Sequence, residues 1–130
     1  IHNLRGNAGS HMDGIQVLNG NNITIRNNWV EVADNPETGE DGGPTAAIFI
    51  HAYQAPTINV TIECNMIIMK DDWYPLRLLD ITGHVIARHN RWRHGAMKDI
   101  PVDFDSPDAL STVWEDNAFE DGIVIPDPSK

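Results

Sequence analysis

A motif of a strand triplet, any two residues, then Asn recurs four times along this chain. The triplet is apolar-polar-apolar in the first two copies, Val85-Ile86-Ala87 in the third and Thr112-Val113-Trp114 in the fourth. The copies are Ile23–Val30, Val60–Ile67, Val85–Trp92 and Thr112–Phe119. Their shared Asn falls at positions 28, 65, 90 and 117, so the steps are 37, 25 and 27 residues. Self-similarity at a period of about 20 to 50 residues marks a solenoid, in which each unit buries its apolar face only by stacking on its neighbours.

Each unit reads as a strand. Ile23, Ile25 and then Trp29 or Val30 alternate with polar residues, which is period 2 and not 3.6. The repeated Asn is expected to take the left-handed backbone of a sharp corner. Its carboxamide both donates and accepts, so stacked copies predict a ladder of buried amides.

A second strand precedes each motif, Asp13–Val17, Ala47–His51, Pro75–Leu79 and Pro101–Asp105, and a fifth of the same kind, Asp121–Ile125, follows the last. The first and last open on the same Asp-Gly-Ile. Two strands and a short third after the Asn predict one triangular coil. Nearly all of the chain therefore resembles the right-handed parallel β-helix superfamily, the pectate-lyase-like fold. The expected fold class is all-β, a single-stranded solenoid of about four to five coils. Residues 1–130 form one β-helix domain in this reading. Ile1-His2-Asn3-Leu4 looks like the strand that follows a ladder Asn, so the chain is expected to start in mid-coil as a fragment of a longer β-helix. Pro126 and Pro128 are expected to stop further pairing. Gly9-Ser10-His11-Met12 matches a common tag scar, but it runs into Asp13-Gly14-Ile15 in register with the repeat and reads as native.

Charge narrows the partners. Nine basic against nineteen acidic residues give a net charge of −10. That argues against nucleic acid, whose phosphates need a basic patch. It also disfavours an acidic polysaccharide unless a cation such as Ca²⁺ mediates. No apolar run approaches the ~18 residues of a membrane span. Cys64 is the single cysteine, which excludes an intrachain disulfide, and it is expected to be a buried hydrophobe. Asn22-Ile23-Thr24 and Asn59-Val60-Thr61 match the glycosylation triplet, although turn chemistry alone explains an Asn before a strand.

The 37-residue step holds an insertion, roughly residues 31 to 45. Its Asp34, Glu37, Glu40 and Asp41 could supply the oxygen ligands of Ca²⁺, the one cofactor the sequence points to. The same loop also reads as plain solvated acid. Further irregular stretches lie around Gly6–Gly14, Asp71–Tyr74 and His94–Asp99, all at the same predicted corner. That places them together on one edge, where loops of a solenoid carry binding sites.

With Ile15, Val17, Ile48, Ile50, Leu76, Leu78, Val102, Phe104, Ile123 and Ile125 pointing inward, the alternate residues of the first strands point out. One outward row reads Gln16, Phe49, Arg77, Asp103, Val124, and the next Leu18, His51, Leu79, Asp105. Adjacent rungs sit ~4.8 Å apart, so Arg77 and Asp103 come within reach. In the families the chain resembles, this face and its corner loops hold a polysaccharide. The resemblance implies a lyase with Arg77 as base or as clamp on a uronate carboxylate, His51 being the chemically easier base, or a hydrolase using Asp103 and Asp105. Those two aspartates lie ~6.6 Å apart along one strand face, compatible with an inverting pair. An Arg77–Asp103 ion pair with a solvated Asp105 is the plainer alternative. His11, Asp13, Gln16, Phe49, Trp73 and Tyr74 are the candidate substrate-binding residues, the aromatic ones by stacking on sugar faces. Asp13 alternatively caps corner amides. Trp29, Trp92 and Trp114 read as packing.

Two functions follow. One is a carbohydrate-active β-helix, a polysaccharide lyase or hydrolase, secreted or extracellular. The other is a non-catalytic structural or carbohydrate-binding β-helix such as a virion tailspike-like stem, with upstream coils or homo-oligomer partners. An enzyme predicts a groove in which His51, Arg77, Asp103 and Asp105 converge. A stem predicts the same residues in ion pairs or at a subunit interface.

Overall fold

The computed structural model describes residues 1, 12–32, 44–69, 74–93 and 101–130. These residues are all β, without helices. The strands are β1 (Met12–Val17), β2 (Gly20–Arg26), β3 (Trp29–Val32), β4 (Pro44–His51), β5 (Thr57–Glu63), β6 (Met66–Met69), β7 (Leu76–Leu79), β8 (Ile81–Arg88), β9 (Arg91–Trp92), β10 (Val102–Asp105), β11 (Ala109–Glu115) and β12 (Ala118–Phe119). They form three four-stranded sheets of orders β1-β4-β7-β10, β2-β5-β8-β11 and β3-β6-β9-β12. All pairings between named strands are parallel. The chain thus visits the same three sheets in turn four times, an arrangement compatible with a β-solenoid of four coils.

The core lies inside the coils. Ile48, Ile50, Leu76 and Leu78 of the first sheet face Val60, Ile62, Ile81 and Val85 of the second, with Ile67 and Trp92 from the third. Each is at most 1% exposed. Ile15, Val17 and Phe104, in the outermost coils, pack on this cluster but are only partly buried, because each has a neighbour on one side only. Trp92 and Trp114 pack at 6.1 Å between ring centres, as expected of core aromatics. Trp29 departs from that expectation: it is 48% exposed and lies under the Arg93 guanidinium, 5.5 Å from the ring centre.

The asparagine ladder forms as the repeat predicts. Asn65 donates from both its backbone amide and its Nδ2 to Asn90 Oδ1, at 3.1 and 3.0 Å. Asn90 repeats this on Asn117, and Asn28 on Asn65. The second Nδ2 hydrogen of Asn65, Asn90 and Asn117 goes back one coil to the carbonyls of Ile25, Ile62 and Ala87, at 2.8–2.9 Å. Asn65, Asn90 and Asn117 are buried. Their polar atoms are matched to one another, which offsets the cost of burying them.

The corner itself is built differently from the expectation. The left-handed residue is the one before the ladder Asn: Asn27, Cys64, His89 and Asp116 have φ of 56, 55, 56 and 46°. The ladder Asn keeps an ordinary φ, which aims its carboxamide along the stack. Cys64 is therefore exposed and not a core hydrophobe, since a left-handed corner turns its side chain to solvent. In the same column His89 Nδ1 lies 3.0 Å from Asp116 Oδ2. Hydrogen bonds from His89 and then Arg91 hold the Asp116 carboxyl below its ordinary value.

A second, shorter ladder sits at the start of the second-sheet strands. Asn59 Nδ2 donates to Asn22 Oδ1 at 3.1 Å, and Asn59 Oδ1 accepts from the His84 amide at 3.0 Å. Asn22, Asn59 and Gly83 all take positive φ there. Both triplet asparagines are thus engaged in the stack, and a Cβ on Gly83 would collide with Asn59 Oδ1.

The expected fifth first-strand does not form. Asp121 Oδ1 accepts from the Ile123 amide and Gly122 takes φ 89°, which makes a tight turn. The chain folds back so that Val124 bridges Ala118 in antiparallel fashion. Ile123 and Val124 are consequently exposed. Ile125 is buried; its amide donates to Asn117 O at 2.9 Å and its carbonyl accepts from Trp114 Nε1 at 2.8 Å. The Ile125 amide takes the place that Ala118 N holds on Asn90 O one rung earlier.

Two outcomes follow for stability. Asn90→Ala leaves the Asn65 amide and carboxamide without an acceptor and is expected to cost about 1–3 kcal/mol in chemical denaturation. Cys64→Asn puts a residue that tolerates the left-handed region where one is needed and is expected to raise stability by about 0.5–1 kcal/mol in the same measurement.

Candidate functional site

The outer face of the first sheet carries the predicted rows in the predicted register. Gln16 lies across from Phe49, Phe49 from Arg77, and Arg77 from Asp103. In the next row His51 pairs with Leu79, and Leu79 with Asp105. Val124 leaves the first row because its segment folds back.

These residues form a connected string. Arg77 Nε donates to Asp103 Oδ2 at 2.9 Å, with both side chains about a quarter exposed or less. The Arg77 guanidinium also lies over the Phe49 ring at 5.2 Å. Phe49 stacks on His51 with ring centres 5.8 Å apart and an 18° tilt. His51 meets Tyr53 edge-on at 6.2 Å. His51 Nε2 lies 3.0 Å from Asp80 Oδ2. Asp13 accepts from Gln16 Nε2 at 3.0 Å at the far end of the same sheet.

Of the predicted catalytic residues, then, His51, Arg77 and Asp103 come together, each beside a charged partner. Asp105 is exposed, in the row of His51 but two rungs from it, and it lines a cleft at the end of the fourth coil. Of the predicted binding residues, Asp13, Gln16 and Phe49 lie on this face and Tyr74 is partly buried just before β7. His11 and Trp73 lie outside the described residues, as do Asp34, Glu37, Glu40 and Asp41 of the predicted Ca²⁺ loop. Among the described residues no three His, Cys, Asp or Glu side chains converge on a metal position.

Two residues of the string escaped sequence reasoning. Asp80 is the single residue between β7 and β8 and has φ 55°, a position that favours Asp or Asn. A lone Asp between two apolar runs was the available signal. Tyr53 sits in the loop Ala52–Pro56, where the second coil is longer than the third, and it is 63% exposed. Its loop is anchored to the first coil: Tyr53 N donates to Leu18 O, and the Gln54 and Ala55 amides donate to Asn19 Oδ1.

The chemistry of the face is mixed. Its guanidinium is paired, Arg77 with Asp103, and the His51 ring nitrogen Nε2 lies 3.0 Å from Asp80. Its apolar component is a run of three rings along one strand and the loop that follows it. Comparison with protein-family models, with curated proteins and with solved structures finds no match to this chain.

A double-mutant cycle on Arg77→Met and Asp103→Asn is expected to give a coupling of about 0.5–1 kcal/mol, the range of a partly exposed pair.

Proposed function

We propose that the chain is a right-handed parallel β-helix of the pectate-lyase-like kind whose first-sheet face binds a neutral glycan without cleaving it. The handedness rests on the crossover rule: strand-to-parallel-strand connections within one sheet are right-handed in about 98% of cases. The binding reading rests on the run Phe49, His51, Tyr53. Tyr53, 63% exposed at the end of the run, offers a ring suited to the apolar face of a pyranose, with the half-buried Phe49 and His51 beside it. The charged residues beside them are already paired, so they orient hydroxyl groups as hydrogen-bond partners. A polyuronate fits less well, because Asp13, Asp80, Asp103 and Asp105 on and beside the face outnumber Arg77. Such a face acts where polysaccharide is met, outside the cell or on a virion surface, and stacked coils or partner chains would lengthen it.

One observation favours the enzyme reading instead. A carboxylate 3.0 Å from His51 Nε2 can fix the ring for proton abstraction. The two readings separate in one pair of experiments. Electrophoresis through gels containing neutral glucans, mannans or xylans is expected to retard the folded protein in at least one glycan. Tyr53→Ala is expected to weaken that retardation about three- to tenfold, the worth of one stacked ring, while leaving stability within about 0.5 kcal/mol. Retardation by none of these, or equal retardation of the variant, would overturn the binding reading. A rise in absorbance at 235 nm with uronate polymers, lost in His51→Ala, would replace it with the lyase.

A further inference from the structure

A cleft of about 400 Å³ opens at the end of the fourth coil, away from the ring run. One wall is the last rung of the solenoid, with Phe104, Asp105, Pro107 and Thr112. The opposite wall is the segment after the fold-back, with Asp127, Pro128, Ser129 and Lys130. The volume falls within the ~300–1,000 Å³ of small-molecule sites.

The cleft is continuous with the first-sheet face. Asp105 lines it and is also the last member of the outward row His51, Leu79, Asp105. Two rungs separate His51 from Asp105, about 10 Å at the spacing of paired strands. A chain laid along the coil axis over His51 and Leu79 is therefore led to Asp105, which lines the cleft together with residues 127–130.

The walls offer what a polyhydroxylated ring requires. Asp105 and Asp127 are acceptors, Thr112 and Lys130 are donors, and Phe104 with the two proline rings is apolar. Asp127 is fixed in place. Its Oδ1 accepts from the Ser129 amide at 2.9 Å and the Ser129 hydroxyl at 2.6 Å, and Lys130 Nζ lies 3.2 Å from Oδ2. Burial alone would raise its carboxyl, but the bonds from Ser129 and then Lys130 outweigh this and hold it below its ordinary value. Asp127 thus stays an acceptor at neutral pH and keeps its wall in position. Among the described residues Asp105 has no such ties, and it is exposed.

We infer that this cleft is a subsite for the terminal pyranose of a neutral glycan, with Asp105 accepting hydrogen bonds from its hydroxyl groups and Thr112 donating from the same wall. The inference rests on the glycan-binding reading of the first-sheet face and adds a polarity to it, with the glycan chain end at β10–β11. The test is calorimetric titration with cello- and manno-oligosaccharides of two to six units against the full chain and three variants. Affinity in the unaltered protein is expected to rise with length. Asp105→Ala is expected to lose about tenfold for the oligosaccharides long enough to reach the cleft and nothing for the shortest, as removal of charge-assisted hydrogen bonds would give. Thr112→Val, which keeps the shape, is expected to lose less with the same length dependence. Tyr53→Ala is expected to weaken every length alike. Asp105→Ala and Thr112→Val binding all lengths as the unaltered protein does, with Tyr53→Ala weakened, would overturn the subsite and leave the face standing. Weakening by Asp105→Ala with Tyr53→Ala unaffected would keep the subsite and remove the ring run. Binding of no oligosaccharide by the unaltered protein would overturn both.

Discussion

The asparagine ladder is the interaction on which the rest of the structure depends. The second, third and fourth coils each contribute one buried carboxamide, and its hydrogen bonds run to neighbouring coils. An unmatched buried amide is costly, so a coil cannot slip or rotate past its neighbour without breaking bonds of both kinds, backbone and side chain. The ladder thereby ties the register of all three sheets to one column. Hydrophobic packing of Ile, Val and Leu inside the coils supplies the larger part of the driving force, but it does not discriminate one register from the next. The amides do.

A fixed register is what gives the outer faces chemical meaning. Residues spaced 25 to 28 apart in the chain become direct neighbours, as Arg77 and Asp103 do, with |i−j| of 26. On the second sheet Arg26, Glu63, Arg88 and Glu115 lie on successive rungs and alternate in sign, with Arg88 Nη2 2.8 Å from Glu63. On the first sheet the same stacking joins Arg77 and Phe49 across rungs, and His51 extends the ring run along β4. The corner after the first-sheet strands sets how far each coil projects. It is one residue, Asp80, in the third coil and the loop 52–56 in the second, so Tyr53 projects beside His51.

Much of this was legible from spacing alone. The Asn positions, the inward residues of the second and third coils and the pairing of Arg77 with Asp103 all follow from a repeat and a period of two. What failed was local. The left-handed corner falls one residue before the Asn, because the ladder needs the Asn side chain directed along the stack, and this places Cys64 in solvent. The string Asp-Gly-Ile serves as strand in β1 but as turn at Asp121–Ile123. The difference is a side-chain bond from Ile123 N to Asp121 and a positive φ at Gly122, neither of which composition reveals. Asp80 and Tyr53 joined the site through corner length, and the end cleft through the fold-back, so neither was visible in the repeat.

The central claim, that buried side-chain amides hold the coils in register, is most directly tested by hydrogen exchange of the asparagine carboxamides followed by NMR. Asn65, Asn90 and Asn117 are predicted to exchange their Nδ2 hydrogens orders of magnitude more slowly than Asn19 or Asn21, on the timescale of the core amides of β5 and β8. Exchange of all five carboxamides at the rate of free asparagine would contradict the account.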